Sequence, residues 1–219
     1  MARLRWPLAG FLVIFLSGAI LAQVQKRAAS PARFDYYALS LSWAPEYCTQ
    51  PGVAAGATLE CAKGRDIGFV VHGLWPEVNE GKAPESCGPA KAVAKAVTKF
   101  ILPYMPGKDL IQQDWATHGT CTGLTPSDYF ATVLQARSTV QIPIEITSIE
   151  EPVRESPADI EARFTASNPA FPMGSFRAVC RNGALAEVRV CFDKDLKPRM
   201  CAPGAGDCAS TSVTISPPR

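Results

Sequence analysis

The chain reads as a single α+β domain on three observations. Strand-type apolar runs lie towards both ends, segments with helical spacing lie between them, and eight cysteines form an even set behind an apolar leader. Its 219 residues match one domain, two at most, and suffice for a sizeable core. With 47% hydrophobic and 19% charged residues, wholesale disorder is excluded. A formal charge of +2 argues against a polybasic nucleic-acid scaffold.

Arg3 and Arg5 precede an apolar run from Leu8 to Ala22. A basic start, a short apolar stretch and a small residue at its end read as an export signal over residues 1–22. The run's 15 residues fall short of the ~20 that span a bilayer as a helix. That argues against an uncleaved anchor, although Ile20 is a poor residue two before the cut. Residues 23–33 are expected to be a flexible N-terminal segment, and residues 34–219 the domain itself. Removing the signal takes two arginines with it, which leaves a neutral exported chain with no further run suited to a membrane.

Phe34 to Trp43 alternates aromatic or leucine residues with small and polar ones, the period of a strand, and Pro45 ends it. Thr49 to Lys63, rich in Gly and Ala, is expected as loop. Ile67 to His72 is a short apolar run suited to a buried central strand. From Pro89, Val93, Val97, Phe100, Ile101 and Tyr104 fall at helical spacing, with Lys91, Lys95 and Lys99 on the other face, until Pro103 and Pro106 stop the helix. Asp109 to His118 has room for about three turns around Leu110, Ile111 and Trp115.

Thr125-Pro126 reads as an N-cap followed by proline at the first helical position, opening a helix to about Val140. Ser156-Pro157 repeats that signal for a helix to about Ala166. Asn182-Gly183, between the runs Phe176–Cys180 and Ala184–Phe192, is a strong two-residue hairpin signal. A last strand is expected around Val213–Ile215.

Cys48, Cys61, Cys87, Cys121, Cys180, Cys191, Cys201 and Cys208 contain no C-x-x-C pair, which argues against zinc and against a redox dithiol. In an oxidising compartment they are expected to form four disulfides, each contributing ~2–4 kcal/mol. Spacing alone leaves their connectivity open.

Both histidines of the chain are followed by glycine, in His72-Gly-Leu-Trp-Pro76 and His118-Gly-Thr-Cys121. Imidazole both takes and gives a proton near neutrality, so one histidine at a strand end and one at a helix end are suited to flank a single reacting atom. Asp114 precedes His118 by four residues, and a helix would put them on one face, where the carboxylate would orient the ring and favour its protonated form; the alternative is a surface ion pair. Trp75 beside His72 suits either a base platform or the core. The chain has no G-x-S-x-G, and its even cysteines leave no free thiol, so serine and cysteine hydrolases are disfavoured.

On these residues the sequence resembles the ribonuclease T2 family of secreted or periplasmic acid endoribonucleases. The two signature segments are His72 to Pro76 and Gln113-Asp114-Trp115 through His118 to Cys121. The opening Phe34-Asp-Tyr-Tyr run and the late Cys180, Glu187, Val188 and Cys191 are similar to the family's as well. The resemblance implies an α+β fold with an antiparallel sheet crossed by several helices. It implies cleavage of single-stranded RNA with little base preference, through a 2′,3′-cyclic phosphate, with no metal or cofactor. Nothing in the sequence demands more than a monomer. His118 would be the general base, His72 the general acid, and Trp75 and Glu77 part of the base site. The implied disulfides are Cys48–Cys61, Cys87–Cys121 and, nested, Cys180–Cys208 around Cys191–Cys201.

Three positions depart from the family pattern of His, Glu and Lys: Gln113, Asp114 and Thr117. Gln113 still hydrogen-bonds phosphate. Asp114 is one methylene shorter than Glu, and a misplacement of roughly 1 Å can cost ~10²-fold in rate. Thr117 removes a cation from where phosphorane charge gathers, typically worth ~10²–10³. The expectation is a slow ribonuclease; the rival is a secreted RNA-binding or toxin-like protein of the same fold with little or no turnover.

Overall fold

The computed structural model describes residues 32–51, 53, 59–62, 64–206 and 208–218. The expected export signal, most of residues 23–33 and part of the Gly/Ala-rich loop lie outside them. Among the described residues, no helix is long and apolar enough to cross a membrane.

Strand β1 (Tyr36–Trp43) is the keel of the domain, with all eight residues buried. Its alternation sends Tyr37, Leu39, Leu41 and Trp43 into the main core and Tyr36 and Ala38 into a smaller cluster with Cys191, Cys201 and Ala202 on the other face. Pro45 converts the chain directly into a single helical turn, α1 (Ala44–Tyr47). Strand β2 (Phe69–Glu77) pairs antiparallel with one edge of β1, and β5 (Ala184–Phe192) with the other.

The expectation of a central strand ending at His72 is corrected here. β2 is an edge strand and continues through the whole first signature to Glu77, because Tyr36, Tyr37 and Ala38 supply partners for Glu77, Pro76 and Trp75. An edge tolerates Pro76. On the outer side the Val71 N–H donates to the Tyr104 carbonyl at 3.0 Å.

Helix α2 (Lys95–Ile101) is also shorter than its periodicity predicts. Ala94 holds ψ 142°, and the Val93 N–H donates to Gln112 Oε1 at 2.9 Å instead of entering a helix. Of the residues at helical spacing, Phe100 and Tyr104 are exposed. Helix α3 (Lys108–Thr117) carries the second signature, and Thr125 caps α4 (Pro126–Ser138) by accepting from the Asp128 N–H. A short turn, α5 (Ile144–Thr147), and a short strand, β3 (Val153–Glu155), were not evident from periodicity. Ser156 caps α6 (Pro157–Ser167) in the same way as Thr125 caps α4.

β4 (Phe176–Arg181) and β5 form the expected hairpin, with positive φ at both Asn182 (51°) and Gly183 (76°). β6 (Val213–Ile215) pairs antiparallel with β3 but parallel with β5, so the six-stranded sheet is mixed rather than wholly antiparallel. The chain leaves β5 through two disulfide-tied loops and returns to the strand's beginning, where the Thr214 N–H donates to the Gly183 carbonyl, 2.9 Å. From there it can only run alongside β5 in the same direction. All four expected disulfides are present: Cys48–Cys61, Cys87–Cys121, Cys180–Cys208 and Cys191–Cys201.

Candidate active site

The register of β1 on β2 steps from Ser40–Gly73 to Leu41–Val71, which leaves His72 as the extra residue of a β-bulge. Bulges re-aim a side chain out of the regular alternation. The His72 ring meets the edge of Tyr47 from α1 at a centroid distance of 5.1 Å, and its Nε2 has no hydrogen-bond partner among the described residues. His118 follows the last turn of α3, where its backbone N–H donates to the Asp114 carbonyl at 2.9 Å. Its ring stacks on Trp75 of β2 at 5.0 Å and 26°. The two imidazoles come from separate elements and line one cleft of ≈ 300 Å³, together with Tyr47, Trp75, Leu110, Gln113, Asp114 and Thr117.

The segment after α3 is fastened to the loop after β2 by the Cys87–Cys121 disulfide. Two hydrogen bonds reinforce it: the Ser86 N–H donates to the Thr117 carbonyl at 2.7 Å and the Cys87 N–H to Thr120 Oγ1 at 3.2 Å. The glycines behind the two histidines are close-approach residues. A Cβ at Gly73 would collide with the Asp114 carboxylate and the Trp75 indole, and one at Gly119 with the Trp115 ring.

Asp114 departs from its expected role. Its side chain is 3% exposed and turns inward, where the Tyr129 hydroxyl donates to Oδ2 at 2.9 Å; no hydrogen bond joins it to the His118 ring. A surface ion pair is excluded by the same burial. Oδ1 faces Gly73 and Trp75 with no well-formed hydrogen bond. Burial pushes the carboxyl up to about 8, against the opposing pulls of the Tyr129 hydroxyl and the Trp75 indole. Asp114 is therefore a neutral acid near pH 7 and does not favour His118 protonation. Burial lowers His118 to about 4, with Glu85 pulling up and Arg189 pushing down. His72 is also lowered by burial, opposed by Glu187 and assisted by Arg181.

Burial of the Asp114 carboxyl ties the stability of the fold to pH. Ionisation of this carboxyl in the unfolded chain, above its ordinary 3.8, draws stability away until the folded group ionises near 8. Asn reproduces the protonated carboxyl and never ionises. Asp114→Asn is therefore expected to gain on the parent by up to a few kcal/mol between about pH 4 and pH 8, with little difference in stronger acid. Paired urea titrations across that range check it.

Gln113 is exposed and Thr117 half-buried at the cleft, while Glu77 lines a neighbouring depression with Tyr36 and Arg189. Glu77 thus borders the depression beside the histidine cleft, and Arg189 and Glu85 act on both its carboxyl and the His118 ring. No lysine or arginine lines the histidine cleft among the described residues. An organised pair of charges lies on β5, where Ser40 Oγ donates to Glu187 Oε2 (2.8 Å) and Arg189 pairs with Glu187 (2.6 Å) while covering the Trp75 ring at 5.2 Å. Sequence reasoning missed Tyr47, Leu110, Tyr129 and Arg189; only Arg189 had a signal, its two-residue spacing from Glu187 on a strand. Among the described residues no group of His, Cys, Asp and Glu side chains converges to hold a metal ion.

Residues 34–201 match the model of the Ribonuclease T2 family. A "probable ribonuclease" of Haemophilus influenzae is 30% identical over 181 residues, 78% of this chain and 62% of that protein. A "ribonuclease" of Aeromonas hydrophila is 35% identical over 122 residues, 53% of each chain. The chain thus spans little more than half the length of these two relatives. An RNase-related protein from Calystegia sepium, 21% identical, shares the fold with a TM-score of 0.66 over 84% of this chain and 98% of its own. With the family model matched over most of its length, the chain belongs to the Ribonuclease T2 family.

Proposed function

We propose that the protein is an exported endoribonuclease that cuts single-stranded RNA with little base preference, without a metal ion, acting as a monomer. The observation that carries this reading is the convergence of His72 and His118 on one small cleft. His118 takes the proton of the ribose 2′-OH as its oxygen bonds to the adjacent phosphorus. His72 gives a proton to the departing 5′-oxygen as that P–O bond breaks, leaving a 2′,3′-cyclic phosphate. Trp75 holds the His118 ring, Gln113 hydrogen-bonds phosphate, and the depression at Glu77 receives the base. Asp114, closed off from solvent, is a positioning residue that joins Tyr129 to the back of β2. The four disulfides fit an oxidising compartment.

The pKa directions set the pH dependence. His118 is in its base form above about 4, whereas His72 holds its proton only below a value depressed from 6.5. Both required states coexist only in acid, so kcat/KM is expected to describe a bell with its acid limb near 4 and its basic limb below 6.5. A profile that keeps rising through neutrality would contradict the role assigned to His72.

The cleft's lack of a lining cation favours slow turnover, and it also favours the second reading, an RNA-binding or toxin-like protein with little or no turnover. The test is incubation of mature protein with single-stranded RNA and a chelator across about pH 4 to 7, the range in which imidazole acid–base catalysis operates. Fragments ending in cyclic phosphate are expected. Binding without such ends selects the second reading, and loss of cleavage on chelation removes the metal-free mechanism.

A further inference from the structure

The histidine cleft does not end at Gln113. Tyr47, Leu110 and Gln113 also line a depression of ≈ 710 Å³ that runs past Pro106 and Gly107 to Lys108. Lys108 and Leu102 in turn border a third depression, ≈ 510 Å³, between α2 and α3, edged by Lys95 and Lys99. Wall residues common to neighbouring depressions set the three in series, from the imidazoles to a ledge of lysines.

Lys95, Lys99 and Lys108 are exposed and make no ion pair among the described residues. Lys95 and Lys99 stand one turn apart on α2, where like charges repel and weaken a helix. Two carboxyls share the connecting wall, Asp109 and Glu60. Burial pushes Glu60 up to about 7, so in acid it presents no charge, which leaves Asp109 as the opposing anion. Over the whole chain, basic residues exceed acidic ones by only two, so this row of unpaired cations is a local concentration of charge.

We propose that the Lys95–Lys99–Lys108 ledge is a phosphate-tracking extension of the active site, gripping the RNA backbone several nucleotides from the bond being cut. The inference rests on the ribonuclease reading of the cleft. A groove that neutralises phosphates of a single strand adds affinity without base preference, and each contact adds about 0.7 to the log–log salt slope. A substrate too short to reach the ledge gains nothing from it.

The test compares the parent with a Lys95→Gln/Lys99→Gln/Lys108→Gln variant on a dinucleotide and on an oligoribonucleotide of about twelve residues, long enough to release several counterions. The variant is expected to raise KM for the oligomer on the order of tenfold with kcat unchanged, and to lower its salt slope by about 2. The dinucleotide should be unaffected. Equal KM values on the oligomer, or an equal loss on both substrates, would overturn the inference. Anisotropy titration with oligodeoxythymidylates of the same two lengths separates it from the catalytic reading. Lysine-dependent binding of the longer strand without RNA cleavage keeps the ledge and sinks the nuclease. Cleavage with no lysine effect in either measurement does the reverse.

Discussion

Mature protein carrying His72→Ala or His118→Ala is expected to lose about 10²- to 10⁴-fold in kcat/KM on single-stranded RNA, because each variant removes one proton transfer from the transition state. The two losses differ in kind. A substrate whose leaving group is a nitrophenolate departs without needing a proton. It should restore most of the rate to His72→Ala and none to His118→Ala, which still lacks a base for the 2′-OH. The reverse pattern would exchange the two roles, and full cleavage by both variants would remove the mechanism. Neither ring makes a side-chain hydrogen bond among the described residues, so the stability each variant loses is that of its ring contact, His72 with Tyr47 and His118 with Trp75.

Gly73→Ala is expected to damage stability and rate together. A methyl group there would overlap the buried Asp114 carboxyl and the Trp75 indole nitrogen, so that the half-buried indole would have to shift towards the cleft it lines. Overpacking of that kind costs typically about 1–3 kcal/mol. Any movement of Trp75 is passed to His118, which stacks on it, and a displacement near 1 Å can cost about 10²-fold in rate. Asp114→Ala empties one of the two colliding positions. The double variant Gly73→Ala/Asp114→Ala should therefore be more stable than the sum of its parts, by a coupling of about 0.5–3 kcal/mol in denaturant titrations. Strict additivity would show that the collision is relieved elsewhere.

Much of the site was legible because its signals are local. The Gly after each histidine, the Asn182-Gly183 turn and the proline-marked starts of α4 and α6 each act within a few residues, and each appears where expected. Asp114 lies in the last turns of α3 and His118 is the residue that caps it, one position beyond the helix that their spacing predicts. Where their side chains point was not legible. Tyr129, fifteen residues on, captures the carboxylate, and Trp75, from another strand, captures the imidazole. Lys91 was assigned to a helix that begins only at Lys95, because a side chain from α3 takes the Val93 N–H.

The amino-acid order alone determined the class of the fold and the two histidine segments, since these rest on residue identity and short-range backbone preference; the disulfide pairing followed only from the family resemblance those segments carry. Tertiary structure alone decided that His72 sits on a bulge, that Asp114 is buried with its carboxyl raised, that Glu77 lines the depression beside the histidine cleft, and that the lysines of α2 edge a depression towards α3. Each of those depends on which strand or helix arrives from far along the chain to exclude water. Desolvation of a charge is a property of the assembled environment that no residue specifies by itself.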